Sequence, residues 1–219
     1  MNITEQALSQ YPTWLEIDLD AVSANTRFAL RTAGTELMAV VKSNGYGFGA
    51  VPIARTTLSA GATALAVARC TEALTLRQAG LSAPILVFGM AAPAEVDIAI
   101  NEQISLTLHS FESLSLYTSR ASATGQKLRV HLKVDTGFGR LGVLPEEARE
   151  LALNAQQAGW IEIEGIYSHL AMADEVPDHP LTIKQIRFFN DAVNALASSG
   201  INPRWKHIAN SAAAFAIPE

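Results

Sequence analysis

From residue 37 onward one unit recurs along the chain: an apolar run of strand length, a polar turn, a helical stretch, a glycine and the next apolar run. The strands read as 37–42, 64–68, 84–88, 105–108, 128–134, 164–168 and 206–209. They are apolar with little alternation, as expected of strands covered on both faces. The helices between them end near Gly61, Gly80, Gly125, Gly159 and Gly200, each a candidate C-cap. Ser110 or Thr71 can cap a helix start, and Pro145 followed by Glu146 and Glu147 marks another. Ile183, Ile186, Phe189, Val193 and Leu196 are spaced for one apolar helical face, read as core packing. Such alternation predicts parallel strands with crossover helices, an α/β fold. A (β/α)8 TIM-type barrel fits it, and a doubly wound sheet is the competing topology.

Before the repeat, residues 14–20 alternate apolar and polar and read as a half-buried strand, with Asp20 placed to cap a helix running to about Thr32. Only seven barrel strands follow it, and no strand is read after Ser211. The barrel is therefore expected to be truncated before its eighth strand, leaving an unpaired edge.

Composition narrows the function classes. Hydrophobic residues make up 49% of the 219, which excludes a disordered or fibrous chain. A net charge of −5 without a basic patch argues against nucleic acid or an anionic membrane as partner. No apolar run is long enough to span a bilayer. The single Cys70 fits a reducing compartment, and the first residues lack the pattern of a secretory signal.

Chemistry-bearing residues gather where strands end. Lys42 stands between the apolar run 37–41 and the glycine-rich turn 43–49. Desolvation at such an edge lowers an amine's pKa and makes it a nucleophile toward aldehydes. A lysine that merely ends a strand and snorkels to water is the plainer alternative. Gly45, Gly47 and Gly49 allow close backbone approach to a ligand, and Tyr46 offers a hydroxyl. The run from Lys133 to Arg140 carries a guanidinium fork suited to a carboxylate, or else a loop with an Arg140–Asp135 ion pair. His169 ends another strand. Asn210 and Ser211 open what reads as a helix, where N–H groups and a hydroxyl can hold phosphate or simply form a cap. These positions follow four different strands, which favours the barrel over an open sheet with one switch point. His131, His169, Asp174 and His179 lack tight ligand spacing, so no metal site is read.

Four ordered motifs carry a resemblance: VVKSNGYGFG at 40–49, HLKVDTGFGRLG at 131–142, GIYSHLA at 165–171 and ANSA at 209–212. Together they resemble the alanine racemase family of pyridoxal-phosphate enzymes. The resemblance implies that Lys42 holds pyridoxal 5′-phosphate covalently through its aldehyde and moves a proton at the substrate. It implies that Tyr46 donates to the cofactor phosphate, His169 lies against the ring, and Asn210 and Ser211 join the phosphate site. Arg140 would serve the substrate carboxylate, and Lys133 matches a lysine that carries a carbamate in many members. The family usually has histidine where Phe48 stands, and alanines where Ser43 and Gly45 stand. Residues 1–36 would form the leading strand and helix, the strand pairing with a C-terminal β domain, and 37–219 an incomplete cofactor-binding barrel. The implied activity is interconversion of L- and D-alanine, supplying D-alanine for peptidoglycan, in a cytoplasmic homodimer. The opposite-face base would be a tyrosine outside this chain, so the chain alone is expected to be nearly inactive. Racemisation of serine or lysine, or a single-barrel cofactor carrier, are the alternatives.

Overall fold

The strands form where the apolar runs lie, and each pairs with the next. The computed structural model describes residues 13–176 and 178–216. Its order is α1 (Leu19–Ala33), β1 (Met38–Val40), α2 (Ala50–Ser59), β2 (Ala64–Val67), α3 (Cys70–Gln78), β3 (Ile85–Val87), α4 (Pro93–Asn101), β4 (Ser105–Leu108), α5 (Phe111–Thr124), β5 (Leu128–Lys133), α6 (Pro145–Gln157), β6 (Ile161–Tyr167), α7 (Pro180–Ala197), β7 (Trp205–His207) and α8 (Ser211–Ala216). The seven strands are parallel and lie in sequence order from β1 to β7. A doubly wound sheet needs that order to reverse at a switch point. Strict succession instead curls the sheet in one direction, with the helices outside, as a barrel does.

Burial follows from the topology. Every side chain of β2, β3 and β4 is buried. Leu65, Val67, Ile85, Val87, Leu106 and Leu108 belong to the main core with the helices. Ala66, Leu86 and Tyr167 form a smaller cluster, joined by Met38 and Phe88. Among the described residues β1 and β7 are the open edges. Phe28 of α1 stacks on Phe215 of α8 at 5.6 Å, and Arg204 meets Glu36 at 2.9 Å, so the flanks of the two edges touch. That exposed ion pair contributes at most about 1 kcal/mol.

Three expectations shift. No strand forms over residues 14–18: Trp14 is 57% and Leu15 66% exposed. A strand needs a lateral partner, and none of the described residues supplies one. The α1 cap is Asp18, not Asp20; its carboxylate accepts from the Ala21 N–H at 2.9 Å, whereas Asp20 is already inside the helix. On α7 the buried face runs through Thr182, Gln185, Phe189, Ala192 and Leu196, and Ile183 is 56% exposed. The three-four spacing of that stripe leaves Ile183 to one side. Ser110 caps α5, whereas Thr71 lies inside α3, and Pro145 opens α6 as read.

One irregularity governs the interior. The β5–β6 register slips between Val130, opposite Ile163, and His131, opposite Gly165. Glu164 is thus the extra residue of a bulge, which re-aims its side chain. A Cβ on Gly165 would collide with His131 Nδ1, so only glycine leaves room for that buried ring. Gly165→Ala is expected to cost about 1–3 kcal/mol by overpacking, read as a Tm several degrees lower in a thermal melt.

Candidate active site

The C-terminal ends of β1, β5, β6 and β7 form one mouth. β1 stops at Val40, earlier than the sequence pattern suggests. Val41 remains in the sheet frame through a 2.8 Å bond from its N–H to Ala66 O. Lys42 therefore opens a turn and does not end the strand itself. That turn is left-handed: Ser43, Asn44, Gly45 and Tyr46 have φ of 53°, 55°, 63° and 57°. Lys42 is half-buried, and its Nζ lies 5.8 Å from the centre of the exposed Tyr46 ring.

Lys133, at the end of β5, is only 5% exposed. Its Nζ donates to Val134 O at 2.9 Å and lies 5.4 Å from the centre of the Tyr167 ring. Burial pushes its pKa down to about 8; Asp135 opposes this and Arg140 adds to it. A buried amine that is partly neutral near physiological pH is a nucleophile.

The loop after β5 is shaped by Asp135. Its carboxylate accepts the N–H groups of Gly137, Phe138 and Gly139 at 2.9–3.1 Å. Burial works against its charge, but the Gly137 and Gly139 amides, the Lys133 cation and the Phe138 amide together hold the carboxyl below its usual range. The Arg140–Asp135 ion pair entertained from sequence is not formed; Asp135 is occupied by backbone. Arg140 is exposed and packs its guanidinium on the Phe138 ring, 4.3 Å from the centroid. Phe138 in turn meets the His169 ring edge-on at 5.0 Å.

His169 is where the predicted residues converge. Its imidazole is half-buried, and its pKa is lowered by burial, then by Arg140, Lys133 and Lys42. Residues far apart in sequence thus act on one ring at one mouth. The loop that carries it is fixed by the fully buried Gln185, which accepts from Ala171 N–H and donates to His169 O, both at 2.9 Å. Gln185 also reaches Thr136 at 3.3 Å, and Thr136 bonds Ser168 at 2.8 Å, tying the β5 and β6 loops together.

Asn210 caps α8: its Oδ1 accepts from Ala213 N–H at 2.9 Å. That engages only its side-chain oxygen, which leaves the Asn210 Nδ2 donor, the Ser211 hydroxyl and first-turn amides for a ligand. Leu170 and Ala213 share a small apolar cluster, which seats this helix beside the His169 loop. Beneath the mouth lies a polar chain that the sequence reading missed. Ser105 donates to Glu164 at 2.6 Å, Glu164 lies 3.7 Å from His131, and His131 bonds His207 at 2.9 Å. His207 stacks on Tyr167 at 4.9 Å, and Tyr167 bonds Thr107 at 2.8 Å.

His131 therefore belongs to this interior chain, and His179 accepts from Leu181 N–H at the start of α7. Among the described residues no group of three His, Cys, Asp or Glu is arranged to hold a metal ion. No helix among them is long and apolar enough to cross a membrane. Cys70 is buried, and burial followed by Glu95 pushes its thiol up to about 11, so it is not a nucleophile. Phe138 and Glu164 have no signal in the sequence. Gln185 has one, a polar residue in the middle of an apolar helical stripe.

An amine, a phenol, a neutral imidazole, an arginine fork and a helix N-terminus with a free hydroxyl suit a phosphorylated aldehyde and an amino acid. The donors are on hand for phosphate, the amine for the aldehyde and the fork for a carboxylate.

The comparisons agree. Residues 17–219 match the family described as "Alanine racemase, N-terminal domain". The alanine racemase of Symbiobacterium thermophilum is 43% identical over 209 residues, covering 95% of this chain and 55% of that protein. That of Methanococcus maripaludis is 41% identical, covering 95% and 57%. The crystal structure of alanine racemase from Streptomyces lavendulae superposes with a TM-score of 0.88 at 41% identity, covering 92% of this chain and 54% of that one. The Bacillus anthracis enzyme with bound L-Ala-P gives 0.84 at 38% identity, with 92% and 53% covered. The chain thus spans about half the length of the curated relatives it matches. The family's enzymes use pyridoxal 5′-phosphate. With motifs, strand order and mouth in agreement, the chain belongs to the alanine racemase family, whose N-terminal domain it matches over residues 17–219.

Proposed function

We propose that this chain is the cofactor-bearing part of an enzyme that interconverts L- and D-alanine, with pyridoxal 5′-phosphate held at Lys42. The observation that carries this reading is that Lys42, Lys133, Arg140 and His169 all follow strands of one parallel sheet at the same end, with Phe138 between the Arg140 guanidinium and the His169 ring. When bound, the cofactor supplies an electron sink for the charge left at the substrate Cα on loss of its proton. The chain's own residues do the rest. Lys42 Nζ would hold the cofactor by its aldehyde carbon and would take or return the proton on one face of the substrate Cα. Arg140 engages the substrate carboxylate with its fork. Tyr46 and Ser211 donate hydroxyls to the phosphate, joined by first-turn amides of α8. His169, kept neutral, would pack against the cofactor ring. Lys133, partly neutral, adds its Nζ to carbon dioxide, loses one N–H proton to solvent, and so presents a carbamate anion toward Arg140.

Racemisation also needs a group on the opposite face of Cα. By the family resemblance this is a tyrosine contributed by the C-terminal domain of a partner subunit, so the working protein is a homodimer. It is cytoplasmic and supplies D-alanine for peptidoglycan. The 219-residue chain alone is expected to show little or no racemisation of L-alanine, followed by optical rotation; turnover at normal enzymatic rates would contradict the reading.

Two further outcomes test the site. Borohydride reduction in the presence of pyridoxal 5′-phosphate should place one pyridoxyl group on Lys42. Lys42→Ala should abolish it with an unchanged far-ultraviolet circular dichroism spectrum. An adduct centred on another lysine would remove the assignment. With carbon-13 bicarbonate, a carbamate carbonyl resonance should strengthen as pH rises through about 8, where the Lys133 amine loses its proton, and vanish in Lys133→Met.

A further inference from the structure

The turn that presents Lys42 is costly. Left-handed backbone is unfavourable for residues with a side chain, least so for asparagine, and Ser43, Asn44 and Tyr46 all adopt it. Such strain persists only where the surroundings over-determine it. Most hydrogen bonds that hold the turn are local. Gly45 N–H reaches Val41 O at 2.9 Å, Gly47 N–H reaches Ser43 O at 2.9 Å, and Gly49 N–H reaches Asn44 O at 2.8 Å. The Asn44 side chain accepts from Ala50 N–H at 2.9 Å. None of these ties the turn to another strand-helix unit.

One bond does. The Ser43 N–H donates to Glu72 Oε1 at 2.5 Å, across 29 positions of sequence. Glu72 Oε2 accepts from the Ala68 and Arg69 N–H groups at 2.8 and 2.9 Å. One carboxylate therefore joins the amide next to Lys42 to the end of β2 and the start of α3. Two other glutamates provide an internal comparison. Glu95 and Glu147 hold the same third position of α4 and α6, and each accepts the N-cap amide, at 2.8 and 3.0 Å. A cap needs only that contact. The second oxygen of Glu72, turned to a distant turn, is beyond what capping requires.

We propose that Glu72 is a positioning residue for Lys42, acting through the Ser43 amide to hold the left-handed turn in register with the mouth. The proposal rests on the reading of Lys42 as the cofactor-bearing lysine. It assigns to Glu72 no contact with cofactor or substrate. A charge-assisted bond fixes where the turn begins, and the turn's first residue fixes the origin of the lysine side chain.

The test separates positioning from capping. Glu72→Asp keeps an acid in the first turn of α3, near the Ala68 and Arg69 amides, but is one methylene too short to reach Ser43 as well. Glu72→Gln keeps the length but turns one oxygen into a donor, so one of the two anchorages is lost. Glu95→Asp is the capping control. The full 219-residue chain is loaded with pyridoxal 5′-phosphate, and the rate of borohydride-trapped adduct formation on Lys42 is measured beside the Tm. Glu72→Asp and Glu72→Gln are expected to slow trapping at Lys42 by about tenfold, the weight of one charge-assisted hydrogen bond. Glu95→Asp is expected to lower the Tm to a similar extent and leave trapping unchanged. Trapping in both Glu72 variants that matches Glu95→Asp would overturn the proposal, since Glu72 would then be a cap alone. If the parent chain forms no adduct on Lys42, the cofactor assignment itself fails, an outcome distinct from the first.

Discussion

Lateral hydrogen bonding between consecutive parallel strands is the constraint on which the site depends. Each crossover helix returns the chain to the same end of the sheet, so every loop that follows a strand opens on one side. Succession without reversal keeps adding curvature in one sense. Lys42, Lys133, Arg140 and His169 lie up to 127 residues apart in sequence, and act on one imidazole because β1, β5 and β6 all end at that side. The bulge on β6 serves the same geometry: it admits Glu164 to the interior while Gly165 yields space to His131.

Electrostatically the mouth is a cluster of cations above a polar chain that ends in a neutral imidazole. Among the described residues, Asp135 is spent on backbone amides, and no acid of the loop neutralises Arg140. Such a field suits an anionic ligand with both phosphate and carboxylate to place. Below, burial, then His131 and Lys133, push His207 down to about 3, so it stays neutral. The His131 hydrogen bond, set against burial, and the Ser105 hydroxyl hold Glu164 below its usual range. The charged end of this chain thus lies at Glu164 and its neutral end at His207, stacked on Tyr167. A neutral ring beneath the cations adds no further positive charge, and a charged one would have to be desolvated at high cost.

Rigidity at the mouth comes from polar staples. Gln185 holds the His169 loop from a helix behind it, Asp135 closes the glycine loop, and Glu72 reaches the Lys42 turn. Gln185 and Glu72 act from helices and Asp135 from just past β5, each holding backbone that carries a functional group. Preorganisation of this kind lets long, flexible side chains such as lysine and arginine act from defined origins.

Much of this was legible from residue order. Apolar runs at regular spacing identify parallel strands because a doubly covered strand has no polar face, and glycines after helices mark where left-handed backbone is needed. By their resemblance to the family, the four motifs nominate Lys42, Tyr46, Lys133, Arg140, His169, Asn210 and Ser211 as site residues. What the chain order could not decide is what depends on a neighbour. The alternation at 14–18 resembles a strand, but a strand exists only with a lateral partner, and none is among the described residues. Arg140 packs on Phe138 and leaves Asp135 to the amides, a choice set by loop geometry that no spacing reports. Glu164, Glu72 and Gln185 gain their roles across tens of residues, through a bulge, a cap and a buried helix face. Periodicity encodes which side of an element is covered; only the folded chain decides which groups meet there, because the hydrogen bonds that aim them are made between units that sequence keeps apart.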